Sequence, residues 1–144
     1  MKARIAIVAS SFNDFITKSL LEACLNELKR QGLSQKQVTT LWVPGAFEIP
    51  FAALKSAQQK NIDAVICLGA VIRGETYHFE AVCHECARGM MEVSLKYGKP
   101  VIMGVLMTET VAQAQARAGL KGKHNKGVEF AQAALKMLAL LKKT

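Results

Sequence analysis

Arg73, Thr76 and His78 stand close together in the run Gly69-Ala70-Val71-Ile72-Arg73-Gly74-Glu75-Thr76-Tyr77-His78-Phe79-Glu80. A guanidinium, a hydroxyl and an imidazole at that spacing suit anion binding beside proton transfer. The run follows an apolar stretch, Ile62 to Leu68, that reads as a buried parallel strand, and it leads into a helical pattern from Phe79 to Tyr97. A strand, a glycine-bearing loop and a helix N-terminus together present unpaired backbone N–H groups, which is what an anion needs. One such loop is weak evidence by itself. Its weight comes from the other strand ends.

Those ends supply Ser10-Ser11-Phe12-Asn13 and Val43-Pro44-Gly45-Ala46-Phe47-Glu48. Phe12 and Phe47 offer flat apolar faces for a planar ring, and Glu48 offers an acceptor for hydroxyl or ring N–H groups. Core packing is an equally good reading of Phe47, and Glu48 could instead serve the helix N-terminus electrostatically. Arg117, Lys121, Lys123 and Lys126 form the one basic cluster of a chain whose formal charge is +8. No aromatic residues interleave with it as a base-stacking platform needs, so a small anionic substrate explains it better than nucleic acid does. Cys83-His84-Glu85-Cys86 resembles a redox or metal motif, but Cys83 falls in the second turn of its helix and no second Cys/His pair completes a zinc set. Buried, reduced thiols and no metal are expected.

The elements that must position these residues alternate along the chain. Arg4 to Ala9 is a strand, and Ile16 to Gln31 a helix with Ile16, Leu20, Cys24 and Leu28 on one face and Gly32 at its end. Val38 to Val43 is the second strand, followed by a helix from Phe47 to Gln59 in whose first turn Pro50 fits. After the third strand and helix, Gly98 precedes a fourth strand, Val101 to Leu106. Thr110 can cap a short helix through Arg117, and a last helix runs from Gly127 to Leu141. Such alternation predicts an α/β fold with a parallel sheet covered on both faces, whose ligands bind at the carboxyl ends of the strands.

The 144 residues fit one domain, 1–144, and half of them are hydrophobic. No apolar run approaches the ~20 residues that span a bilayer. The N-terminus opens straight into a strand without room for a signal peptide, so a cytoplasmic protein with no membrane partner is expected.

Taken together, these segments resemble the lumazine synthase (6,7-dimethyl-8-ribityllumazine synthase) family. The resemblance covers nearly the whole chain. It rests on Ser11-Phe12-Asn13, Val43 through Pro50, Gly69 through Glu80, Gly104-Val105-Leu106 with Thr110, Gln113 through Gly119, and Asn125-Lys126-Gly127. It implies a flavodoxin-like, doubly wound four-stranded parallel sheet. It also implies the condensation of 5-amino-6-(ribitylamino)uracil with 3,4-dihydroxy-2-butanone 4-phosphate, with loss of phosphate and water and no cofactor. By matching position, Phe12 would stack on the pyrimidine, and Ala46, Phe47 and Glu48 would line the ring and ribityl pocket. Ala70, Val71 and Ile72 would bind the pyrimidine edge through their backbone. Glu75 and Thr76 would hold phosphate together with Arg117 and Lys126, and His78 would be the general acid/base.

In the family the site straddles two subunits of a ring of five, so Arg117, Lys126 and position 103 would come from a neighbour. A homo-oligomer, pentamer or decamer, is therefore implied. Position 103 is usually aromatic in the family and is Met103 here. The stretch from Arg117 to Lys126 is one residue longer than in shell-forming members, and the short N-terminal extension of many members is lacking; both are expected to disfavour a sixty-subunit shell. Neighbouring readings are a riboflavin synthase of the archaeal type, a non-catalytic flavin-binding or shell protein, and a flavodoxin-like electron carrier. The last has no use for a histidine-arginine-lysine constellation.

Overall fold

All six residues of one strand and the first seven of another are buried, because helices cover both faces of the sheet they share. The computed structural model describes residues 2–143. In chain order the elements are β1 (Ile5–Ser10), α1 (Asp14–Arg30), β2 (Val38–Val43), α2 (Ile49–Gln58), β3 (Ala64–Ile72), α3 (His78–Tyr97), β4 (Val101–Thr108), α4 (Val111–Arg117) and α5 (Lys126–Leu141). The four strands are parallel in the order β2-β1-β3-β4. This is the flavodoxin-like, doubly wound arrangement the sequence implied.

Alternate residues of each central strand feed two cores. Ile5, Ile7, Ile66 and Leu68 pack with Ile16, Leu20, Cys24 and Leu28 of α1 and with Phe130, Ala131 and Ala134 of α5. Ala6, Val8, Val65 and Cys67 pack with Ile49 and Ala53 of α2 and with Val82, Cys86 and Met90 of α3. The order changes direction between β1 and β3, so the crevice at their carboxyl ends is where a ligand is expected.

Helix ends follow their local chemistry. Gly32 (φ 103°) and Gly98 (φ 63°) end α1 and α3 in the left-handed conformation that glycine adopts without strain. Pro50 stands in the first turn of α2, after a single 3₁₀ turn over Ala46–Glu48. Thr110 caps α4, its hydroxyl accepting from the Gln113 N–H while Gln113 Oε1 accepts from the Thr110 N–H.

One boundary departs from expectation. The stretch from Gly69 was expected to be loop, yet β3 continues through Ile72, paired with β4 as far as Thr108. Gly69 is there for close approach, since a Cβ at that position would overlap Ser10 Oγ on β1.

Candidate active site

A cleft of about 580 Å³ lies at the carboxyl ends of β1, β2 and β3. Phe12, Ala46, Phe47, Glu48, Ala70, Val71, Ile72, Thr76 and His78 all line it, joined by Pro44, Gly45, Gly74, Phe79 and Val82. Glu75 is exposed on the same loop but is not part of the cleft wall.

The β1–α1 turn is sewn to its neighbours in a way that leaves one ring outside. Ser11 N–H donates to Val43 O at 2.8 Å and Phe12 N–H to Pro44 O at 2.9 Å. Asn13 takes the left-handed conformation (φ 61°) and its side-chain amide donates to Ala70 O at 2.9 Å. With its backbone fixed, Phe12 keeps a side chain 72% exposed. Phe47 is 57% exposed, which overturns the core-packing reading of that residue. Glu48 stands at the N-cap of α2 without capping it through its side chain, so its carboxylate is open to a ligand.

The end of β3 carries a divided set of backbone groups. Its ladder with β1 stops at the Ala9–Leu68 pair, while its ladder with β4 runs four residues further, to Ile72. Val65 and Arg73 donate their N–H groups toward β4, to Pro100 O and Thr108 O. The period of two then turns Val71 toward β4 as well, and turns Ala70 and Ile72 toward the side β1 has vacated. Asn13 occupies the Ala70 carbonyl there. Past Ser10, the last residue of β1, the polar backbone groups of Ile72 are left facing the cleft region.

His78 is the first residue of α3 and is exposed. Its backbone N–H lies 3.4 Å from Thr76 Oγ1, and among the described residues nothing hydrogen-bonds its imidazole. Arg73, which the sequence offered as an anion ligand, is committed elsewhere. Its Nε donates to Glu109 Oε2 at 2.5 Å, its Nη1 to Glu80 Oε1, and its guanidinium stacks over the Phe79 ring with the centroid 4.4 Å away. The guanidinium holds the Glu80 carboxyl below the usual carboxylate range. One cation facing two carboxylates is no place for phosphate.

The remaining expected residues lie apart. Met103, Arg117 and Lys126 line a separate hollow of about 240 Å³ beside β4, with Val105, Leu106, Met107, Thr108 and Phe130. Neither Arg117 nor Lys126 is paired with a carboxylate among the described residues; Arg117 donates only to Gln113 O, at 2.9 Å. Asn125 brings these two cations together. It caps α5 by accepting from the Gly127 N–H at 2.8 Å, and its amide donates to Ala118 O at 2.9 Å and Ser19 O at 3.2 Å. The 119–124 loop is thereby closed at its neck, where Ala118 and Asn125 bridge. The two hollows have no lining residue in common.

The four cysteines are free and buried. Burial pushes the Cys24 and Cys86 thiols up to about 12, Cys67 higher still and Cys83 upward as well, which disfavours the thiolate at each. Among the described residues no group of histidine, cysteine, aspartate or glutamate is arranged to hold a metal ion, and no helix is long and apolar enough to cross a membrane.

Comparison with known proteins bears directly on this geometry. A family model described as 6,7-dimethyl-8-ribityllumazine synthase matches residues 2–142. A protein of Protochlamydia amoebophila named 6,7-dimethyl-8-ribityllumazine synthase is 51% identical over 139 residues, covering 96% of this chain and 80% of that protein.

Proposed function

The chain belongs to the 6,7-dimethyl-8-ribityllumazine synthase family and is a transferase of riboflavin biosynthesis, and we propose that it works at a site built from two copies of itself. One copy gives the cleft with His78; its neighbour gives the hollow with Arg117 and Lys126. The observation that carries this reading is the separation of the two hollows within one chain. His78, with no hydrogen bond to its imidazole among the described residues, is in one, and Arg117 and Lys126, unpaired with any carboxylate among those residues, are in the other.

In that site the pyrimidine stacks on Phe12 and meets the backbone at the end of β3, around Ile72, at its edge, while Ala46, Phe47 and Glu48 receive the ribityl chain. Met103 of the neighbour closes over the ring as an adaptable apolar side chain. The phosphate lies between the 75–76 loop and Arg117, whose planar fork matches it, with Lys126 as a second positive charge. An amine of the pyrimidine attacks the ketone and a first water leaves to form an imine, phosphate is then eliminated, and ring closure by the ribitylamino nitrogen on the remaining carbonyl expels a second water. Each step moves a proton, which His78 can accept or donate, and the departing dianion is met by fixed positive charge. A ring of five satisfies the pairing of half-sites. Four free thiols fit a reducing cytoplasm.

Replacement of His78 by alanine tests the central role. Turnover is expected to fall by about 10²-fold, the low end for a general acid/base because the substrates carry acid/base groups of their own. Unchanged turnover would remove His78 from the mechanism.

A further inference from the structure

We propose that Arg73 is a positioning residue for this reaction, a staple that holds the Gly74–His78 loop in the shape the phosphate-bearing substrate needs. The proposal rests on the reading of Glu75 and Thr76 as phosphate binders. Arg73 is the last residue before the loop, and its backbone N–H is fixed to Thr108 O at 2.9 Å. Its side chain reaches across the loop to Glu80 on the first turn of α3, and sideways to Glu109 at the turn before α4. Between them it lies over Phe79, which is part of the cleft wall next to His78. Both ends of the loop and the ring beside the imidazole are thus held by one side chain.

Chemistry makes the substitute hard to find. Glu80 Oε2 is buried without a protein partner among the described residues, so Glu80 depends on Arg73 for its charge pairing. Contact with the two carboxylates pushes the Arg73 guanidinium up, and Arg73 in turn holds the Glu80 carboxyl down. Arg73 and Glu109 are substantially exposed, so the bridges contribute little to global stability. Their effect is local order, and a loop displaced by about 1 Å can cost about 10²-fold in rate.

The test is steady-state kinetics with each substrate varied separately, on Arg73→Met, Arg73→Lys, Glu109→Gln and Thr76→Val, with thermal midpoints measured in parallel. Arg73→Met is expected to lower kcat/KM for the butanone phosphate by about 10- to 10²-fold. It should do so through a raised KM for that substrate and a lowered kcat, with the pyrimidine KM and the midpoint nearly unchanged. Arg73→Lys should fall between, since a point charge cannot fork to two carboxylates. Glu109→Gln, which keeps the Glu80 bridge and the Phe79 stack, should show the same split more weakly and serves as the test if Arg73→Met does not fold. Parallel losses for both substrates, or losses that track the midpoint, would reduce Arg73 to a structural residue. If Thr76→Val raises the phosphate-substrate KM and neither Arg73→Met nor Glu109→Gln does, the staple is refuted while the phosphate loop stands. If Thr76→Val leaves that KM unchanged, the phosphate reading falls and the staple with it.

Discussion

Asn13 makes two separable contributions, and two substitutions divide them. Its backbone is left-handed (φ 61°, ψ 41°), a conformation that costs an ordinary L-residue about 1–2 kcal/mol. Its amide donates to Ala70 O at 2.9 Å, a neutral hydrogen bond of about 1 kcal/mol net. Asn13→Gly keeps the backbone unstrained and loses the hydrogen bond, for about 1 kcal/mol. Asn13→Ala loses the bond and adds strain, for about 2–3 kcal/mol in all. At about 3 °C per kcal/mol for a chain of this size, thermal midpoints should drop by about 3 °C for the glycine variant and about 6–9 °C for the alanine one. Both variants free the turn that presents Phe12, so the pyrimidine KM should rise in each while the phosphate-substrate KM holds. An alanine variant as stable as the glycine one would refute the strain argument. Unchanged pyrimidine KM in both would show that the Ser11 and Phe12 backbone bonds hold the turn unaided.

Arg117→Lys should raise KM for the butanone phosphate several-fold and spare pyrimidine affinity, because lysine cannot grip phosphate with two parallel bonds; equal weakening of both would point to a damaged interface. Glu27 accepts from Arg30, Gln31 and Gln132, which hold its carboxyl at about 2 against the usual 4.5. A depressed carboxyl stabilises the fold above the unfolded-state value, and that contribution fades as pH falls from 4.5 toward 2. Glu27→Gln should therefore flatten the acid limb of stability in urea titrations over that window, and an unchanged slope would contradict it. Light scattering at physiological salt should give a ring of five or a pair of such rings. Lys121 and Lys123, on a loop outside the Ala118–Asn125 neck, would repel their copies across a contact between rings, and a mass near sixty subunits would overturn that expectation.

The alternation of strands and helices was legible because fully buried parallel strands leave continuous apolar runs such as Ile5 to Ala9 and Ala64 to Leu68. The reach of β3 past Gly69 was not. A glycine there reads as loop, and only the neighbouring strands show that it serves close packing against Ser10 while β4 carries the pairing onward. Arg73 misled for a related reason: its partner Glu109 lies 36 residues away, so sequence shows a lone arginine beside a glycine loop and not a neutralised one. Phe47 could not be decided from its flanks, since core and ligand rings look alike in sequence; its exposure settles that it is outside the core. Asn13 was visible only as a neighbour of Phe12. An asparagine directly before a helix is the available signal, because asparagine is among the few residues that visit the left-handed region.

Co-expression of His78→Ala and Arg117→Ala chains tests most directly whether catalysis spans two subunits. Each variant alone lacks one half-site throughout. In randomly mixed rings, about one site in four pairs an intact His78 with an intact neighbouring Arg117. Mixed assemblies should then form lumazine and release phosphate at about a quarter of the unmodified rate, with each parent variant far below that. Mixed assemblies no more active than the two variants separately would place both residues in a single chain's site and contradict the account.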